Sequence, residues 1–129
     1  MAQLRILIRS AWCVVRKITA TDSADVIRRR RPLSNFFPET VEVELNRYPR
    51  LATLRHFMTA ARFGQIEESV VEFAYSLTGI QAYRERAFSS LHLISDEAFE
   101  RSITRMEAAL QAGPIEGLSL YTMLWGIRS

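Results

Sequence analysis

Apolar residues recur along this chain at two spacings, and the switches between them divide it into elements. Leu51, Leu54, Phe57, Met58 and Ala61 fall three and four apart directly after Pro49, which predicts a helix over 50–62. The spacing then changes: Val71, Phe73 and Tyr75 alternate along a strand expected over 66–76, with Gly64 supplying the turn into it. After the break at Gly79, Ile80, Tyr83, Ala87 and Leu91 return to helical spacing. Ser95 is a natural N-cap, and Asp96 and Glu97 place negative charge at the positive end of the helix that follows. Phe99, Ile103, Met106 and Leu110 form its apolar stripe, Glu97 and Arg101 stand at i, i+4, and Gly113-Pro114 ends it. The closing run "GLSLYTMLWGI" is apolar enough to be a strand buried on both faces, near 118–127.

The first half is less regular. Leu4, Ile6 and Leu7, then Trp12 to Val15 and Ile18, suggest a short lead-in and a buried strand near 11–19, with "TATDSAD" as its exit loop. From Asp22 to Arg50 the pattern offers an arginine run, three prolines and one brief alternation at Val41, Val43 and Leu45. It predicts a long, mostly irregular connection, and loops of that length in a compact domain tend to line sites. Nothing divides the 129 residues into two domains.

Composition narrows the function classes. With 48% hydrophobic and 24% charged residues the chain can build a core. Seventeen basic residues against fourteen acidic leave only +3, a weak basis for gripping nucleic acid, and all the cations but Lys17 are arginines. Cys13 is the sole cysteine, so no intrachain disulfide forms, and a lone thiol between Trp12 and Val14 reads as a small core residue in a reducing, cytoplasmic compartment. No apolar run approaches the roughly 20 residues of a membrane span, and Arg5, Arg9 and Arg16 interrupt the opening segment, so it reads as structure and not as a targeting signal. His56 and His92 are far apart and carry no ligand spacing, which argues against a metal site. Glycines 64, 79, 113, 117 and 126 assemble neither a P-loop nor a dinucleotide fingerprint, and Ser89 and Ser90 lack a nucleophile elbow. Glu67, Glu68 and Glu72 read as the charged solvent side of the second strand, since acid–base work needs a second group in an opposed environment.

The stretch "RRRRPLSNFFPE", Arg28 to Glu39, admits three readings: a solvated loop kept extended by its charges, a contact for an anionic substrate, or a nucleic-acid grip. The last lacks any accompanying recognition motif. Phe36 and Phe37 beside Pro38 suit packing the loop onto the body of the protein, or walling a pocket.

In order, "CVVRKIT", "LSNFFPE", "RYPRLATLRHFMTAARF", "RAFSSLHLISDEAFERSITRMEAAL" and the closing strand with Trp125 make the chain resemble the C-terminal half of a class I S-adenosylmethionine-dependent methyltransferase, of the type 11 group related to the ubiquinone and menaquinone enzymes. Two local departures stand out. "RSAW" replaces the family's basic-Pro-Gly-Gly entry to the fifth strand, and Ala61-Arg62-Phe63, with Gly64 one position later, replaces Ala-Gly-Phe before the sixth. The cofactor-binding half of that fold is absent, so the resemblance implies S-adenosylmethionine as cofactor while placing no residue of its site in this chain. It implies substrate-side positions at Phe36, Phe37 and Pro38 in the loop and at Tyr83, Arg84 and Arg86 on the following helix.

The expected fold is therefore α/β, a partial Rossmann-like methyltransferase unit. Its three-stranded mixed sheet has the terminal strand antiparallel between the other two, with helices packed around it. The first strand would pair with the missing half, and an uncovered edge invites association. The chain is expected to dimerise, to bind a separate N-terminal-half partner, or to cap the edge with its own N-terminus. A small-molecule methyl acceptor would be the substrate. The arginines would belong to the lid of an active site completed elsewhere. The competing expectation is a non-catalytic module that binds a partner chain or an anionic ligand through Arg28 to Glu39.

Overall fold

A computed structural model describes residues 15–128 of the chain. β1 (Val15–Thr21) leads into three short helices, α1 (Ala24–Arg29), α2 (Leu33–Phe36) and α3 (Glu39–Arg47), and then into α4 (Leu51–Ala60). β2 (Gly64–Leu77) is followed by α5 (Gln81–Arg84), a 3-10 turn (Ser89–His92), α6 (Asp96–Ala112) and β3 (Ile115–Arg128). The sheet order is β1-β3-β2, and both ladders are antiparallel. The terminal strand thus lies where the sequence puts it. The sheet is antiparallel and not mixed, because β3 separates β1 from β2.

The segment expected to be irregular is the main correction. Ser23 accepts a hydrogen bond from the Val26 amide and starts α1 with Asp25 in its first turn, the N-terminal chemistry that Ser and Asp supply. In α3 the Val41-Val43-Leu45 alternation is helical, and the residues that α3 buries are Thr40 and Glu44, one turn apart. Helical spacing over Ile80–Leu91 is also interrupted: α5 ends at Arg84, and Arg86 at φ 52° turns the chain towards the 3-10 turn. The 11–14 portion of the first expected strand lies outside the described residues, and β1 runs on to Thr21, where the exit loop was expected.

Where caps and period agree, the elements are as read. Ser95 Oγ accepts from the Ala98 amide at 3.1 Å, Gly113 stops α6, and Phe99, Ile103 and Met106 are buried. Arg101, however, pairs with Glu39 of α3 at 2.9 Å. The turn before β2 is made without help from Gly64: Arg62 (φ 68°) takes the left-handed conformation there, and Gln65 (φ 50°) takes it inside β2, where the register with β3 shifts.

The main core gathers Leu33, Phe37, Ile80, Tyr83, Leu91, Phe99, Ile103, Met106 and Ile115 at one end of the sheet. Along β3, Leu120, Thr122 and Leu124 are buried on the face that α1 packs against, together with Val26 and Ile27. The opposite face keeps Tyr121 53% and Trp125 46% exposed. Ile115 enters the main core from that same face, but at Tyr121 and Trp125 only the α1 side is buried, so β3 is not the strand buried on both faces that its apolar run predicts. β2 shares that open face through Val71 and Phe73.

Candidate functional site

Pro38 turns the chain from α2 into α3 and leaves Phe36 and Phe37 at the end of a four-residue helix, pointing different ways. Phe37 is fully buried, stacked on Tyr83 with ring centroids 5.9 Å apart and on Phe99 at 6.1 Å. Arg86 lays its guanidinium 4.0 Å over the other partner, Phe99, and bonds Asp96 at 2.7 Å. Arg84 pairs with Glu107 at 2.9 Å. Phe36 is half-buried under Arg105, whose guanidinium donates to the carbonyls of Asn35 and Phe36. Five of the six substrate-side candidates, Phe36, Phe37, Tyr83, Arg84 and Arg86, are thus docked along α6. Pro38 is exposed beside them, and none of the six lines either of the two grooves beside the arginine run. Burial holds the Tyr83 phenol far above its usual range, helped by the neighbouring Tyr75, so it stays protonated.

The arginine run is anchored, and its four members do different things. Arg28 and Arg29 end α1, and Arg30 caps it. Arg31 exchanges backbone hydrogen bonds with Leu118, prolonging the line of β1 along β3. Arg29 bonds Asp25 and Glu72 on the surface. Arg30 turns inward, 2.9 Å from Asp22 and 4.0 Å from Glu44, both of which are buried, and Arg47 reaches Glu44 at 3.4 Å. Two guanidinium atoms of Arg30, Nε and Nη2, are buried without a hydrogen-bond partner. The neighbouring Tyr48 phenol titrates above its usual range, first through burial and then through the Asp22 and Glu44 carboxylates. This cluster escaped the sequence reading. Its only advance signal is that Asp22 and Glu44 bracket the run, each within reach of a helix end.

Two grooves flank the cluster. One, of about 880 Å³, is lined by Arg28 to Arg31, Asn35, Tyr75, Ser76 and Glu116. The other, of about 840 Å³, carries Asp22, Asp25, Tyr48, Arg50, Glu68 and Thr122. Neither contains His56 or His92, which are both exposed. Among the described residues no group of three or more His, Cys, Asp or Glu is placed to hold a metal ion, and no helix is long and apolar enough to cross a membrane. The chemistry on offer is charge and hydrogen bonding for recognition. General acid–base work would require a proton carrier within reach of a bound group.

Compared with known proteins, the chain matches no family model, no curated protein and no solved structure.

Proposed function

We propose that this chain is the substrate-side half of a methyltransferase-like protein, inactive alone and completed by a second polypeptide or a second copy. The observation that carries the reading is the unfinished sheet: β3 lies antiparallel between β1 and β2, and β1 is bonded on one edge only among the described residues. A strand left so invites another to pair with it. Phe36 and Pro38, at the rim where α2 meets α3, together with Arg84 and Arg86, are the positions that would face a methyl acceptor. Phe37 and Tyr83 would hold that rim in place from the core.

S-adenosylmethionine does not fit the residues present. Gly117 and Gly126 lie within β3, Gly64 begins β2 and Gly113 caps α6; Gly79 alone stands between a strand and a helix, β2 and the four-residue α5, and a single glycine there is not the Gly-rich phosphate turn of that fold. Methyl transfer is accordingly not assigned to this chain by itself. Calorimetric titration of the folded chain with S-adenosylhomocysteine, after size-exclusion to fix its oligomeric state, is expected to give no saturable heat. Saturable binding by a monomer would overturn the half-enzyme reading, whereas binding by a dimer only would assign the completing half to a second copy.

A second reading, a module binding an anionic ligand, is favoured by one observation: all four arginines line the same groove, with Tyr75, Ser76 and Asn35 as further hydrogen-bonding groups. Inorganic phosphate binding that weakens with salt and disappears in Arg28→Ala/Arg31→Ala would support it.

A further inference from the structure

β2 is open to solvent on both of its faces. Eleven of its fourteen residues are exposed, among them Glu68, Val70 and Glu72 on the α1 side and Glu67, Ser69, Val71 and Phe73 on the other. Phe73 is 66% exposed, Val71 48% and Val70 45%. A layer missing from one face would open only alternate residues. A strand added beside β2 would lay its side chains against both faces at once. Among the described residues β2 pairs with β3 alone, so its outer edge offers alternate backbone N–H and C=O groups with no strand beside them. The irregularity that blunts this edge is confined to its start, where the register with β3 shifts between Gly64 and Glu67. From Glu67 to Leu77 the ladder is regular and holds no proline, lysine or arginine. Its glutamates are the remaining safeguard, and two of them are answered within the chain, Glu68 by Arg55 at 3.7 Å and Glu72 by Arg29 at 3.2 Å.

We propose that this edge pairs antiparallel with the β2 edge of a second copy across a two-fold axis, joining two three-stranded sheets into one. An axis perpendicular to the sheet keeps each face with itself, so it passes through a residue that meets its own copy. Val70, Val71 and Glu72 are the centres that overlap most of the strand. Centred on Val70, the pairing sets Glu68 opposite the partner's Glu72, and centred on Glu72 it sets that residue against itself. Like charges directly opposite are destabilising, which removes both. Centred on Val71, no two glutamates are opposed. Val71 then meets the partner's Val71, Ser69 the partner's Phe73, Glu67 the partner's Tyr75, Val70 the partner's Glu72, and Glu68 the partner's Ala74.

Charge favours the same register and selects a second copy over a foreign strand. Ala74 lines the groove of Arg28 to Arg31. The partner's Glu68, opposite Ala74 on the α1 side, therefore enters a cationic groove, and by symmetry Glu68 enters the same groove of the partner. A carboxylate held by Arg55 at 3.7 Å has acceptor sites for a second guanidinium. On the other face the most exposed aromatic of β2, Phe73, is laid against the partner's Ser69 and beside the partner's Val71. A strand from another protein would gain the backbone bonds without these reciprocal contacts. The inference is independent of the half-enzyme reading, which uses the edge of β1, and it gives the arginine groove an acidic occupant from the chain itself.

Light scattering after size-exclusion tests it on the full chain. At tens of micromolar the parent is expected to show twice the mass of one chain. Val71→Lys, which sets two ammonium groups opposite each other on the axis at a position exposed in the single chain, is expected to show the mass of one chain with unchanged circular dichroism. Cross-linking reads the register without relying on that variant. In a Cys13→Ser background, oxidised Val71→Cys is expected to bond to its own copy, since opposed strand residues fall within the roughly 4.4–6.8 Å Cα separation of a disulfide. Ser69→Cys, displaced from its own copy by four residues, is expected to stay uncross-linked. A single-chain mass for the parent would overturn the proposal, a strand of another protein at this edge included. So would a double mass that a folded Val71→Lys retains, which would move the association to another surface, and so would cross-linking at Ser69→Cys as readily as at Val71→Cys.

Discussion

The phenol ring of Tyr75 lies over Gly117, its opposite number across the β2–β3 ladder: a Cβ built on Gly117 would stand 2.3 Å from Cε2 and Cζ of the ring. The ring also stacks on Phe73, with centroids 6.2 Å apart, and its hydroxyl donates to the Arg31 carbonyl at 3.4 Å. Gly117→Ala would push the ring off the strand and is expected to cost about 1–2 kcal/mol. Once Tyr75→Ala has removed the ring, the same change at 117 should cost little. A double-mutant cycle from urea denaturation would read this as a coupling of about 1 kcal/mol, and additive single effects would show that the ring and the glycine do not interact.

The four arginines should separate sharply by stability. Arg30 sits 2.9 Å from Asp22, and their side chains are 15% and 7% exposed. Removing one partner of a buried pair strands the other, so Asp22→Ala is expected to cost roughly 3 kcal/mol. Arg29 pairs with Asp25 and Glu72 at the surface, where water and salt screen both charges, and Arg29→Ala should leave the urea midpoint where it is. Equal effects of the two substitutions would contradict the division of the run into one inward and three outward guanidinium groups.

That division marks where the sequence stops being informative. α6 was legible at both ends because Ser95, Gly113 and the stripe from Phe99 to Met106 all act locally. The central antiparallel position of β3 came from the methyltransferase resemblance that the order of elements suggested, and its apolar run alone announced only a buried strand. α3 was hidden because the residues it buries are polar: Thr40 satisfies its hydroxyl on the Phe37 carbonyl, and Glu44 answers Arg30 and Arg47. No apolar period can announce a helix whose inward face is built that way. The same holds for the candidate site. Phe36 and Phe37 were visible as a pair, but only the fold decides that Phe37 enters the core against Tyr83 and Phe99 while Phe36 stays under Arg105. The open sheet face was invisible for the opposite reason: Tyr121 and Trp125 look like core residues until the layer above them is counted.

Alkaline pH should weaken the fold through its buried phenol. Tyr83 is held above the ordinary value of 10.0, chiefly by burial, so above that pH the unfolded chain gives up a proton that the folded chain keeps. A group raised in this way contributes stability that is complete below its unfolded pKa and declines as pH rises above it. The urea midpoint is therefore expected to fall from pH 9.5 towards 11, less steeply in Tyr83→Phe than in the parent. Tyr48 shifts in the same direction but is more exposed, and Tyr48→Phe should change the slope less. A midpoint independent of pH over this range would remove the buried-phenol account.

The turn into β2 carries strain that a single substitution can relieve. Arg62 adopts φ 68° at the end of α4, donating its amide to the Thr59 carbonyl at 2.9 Å, and its side chain is exposed. The left-handed conformation costs an L-residue roughly 1–2 kcal/mol, whereas glycine takes it freely but loses more chain entropy on folding. The difference leaves Arg62→Gly about 0.5–1 kcal/mol more stable than the parent. Gly64, two residues further on, has no positive φ and stands in the ladder opposite Ile127, with that residue's carbonyl oxygen 3.9 Å from a built Cβ. Gly64→Ala should consequently be tolerated, despite being the glycine that the sequence nominates for the turn. Thermal unfolding of the two variants beside the parent decides the matter: a rise for Arg62→Gly with little change for Gly64→Ala places the strain at 62, and the reverse order would move the reversal of the chain to 64.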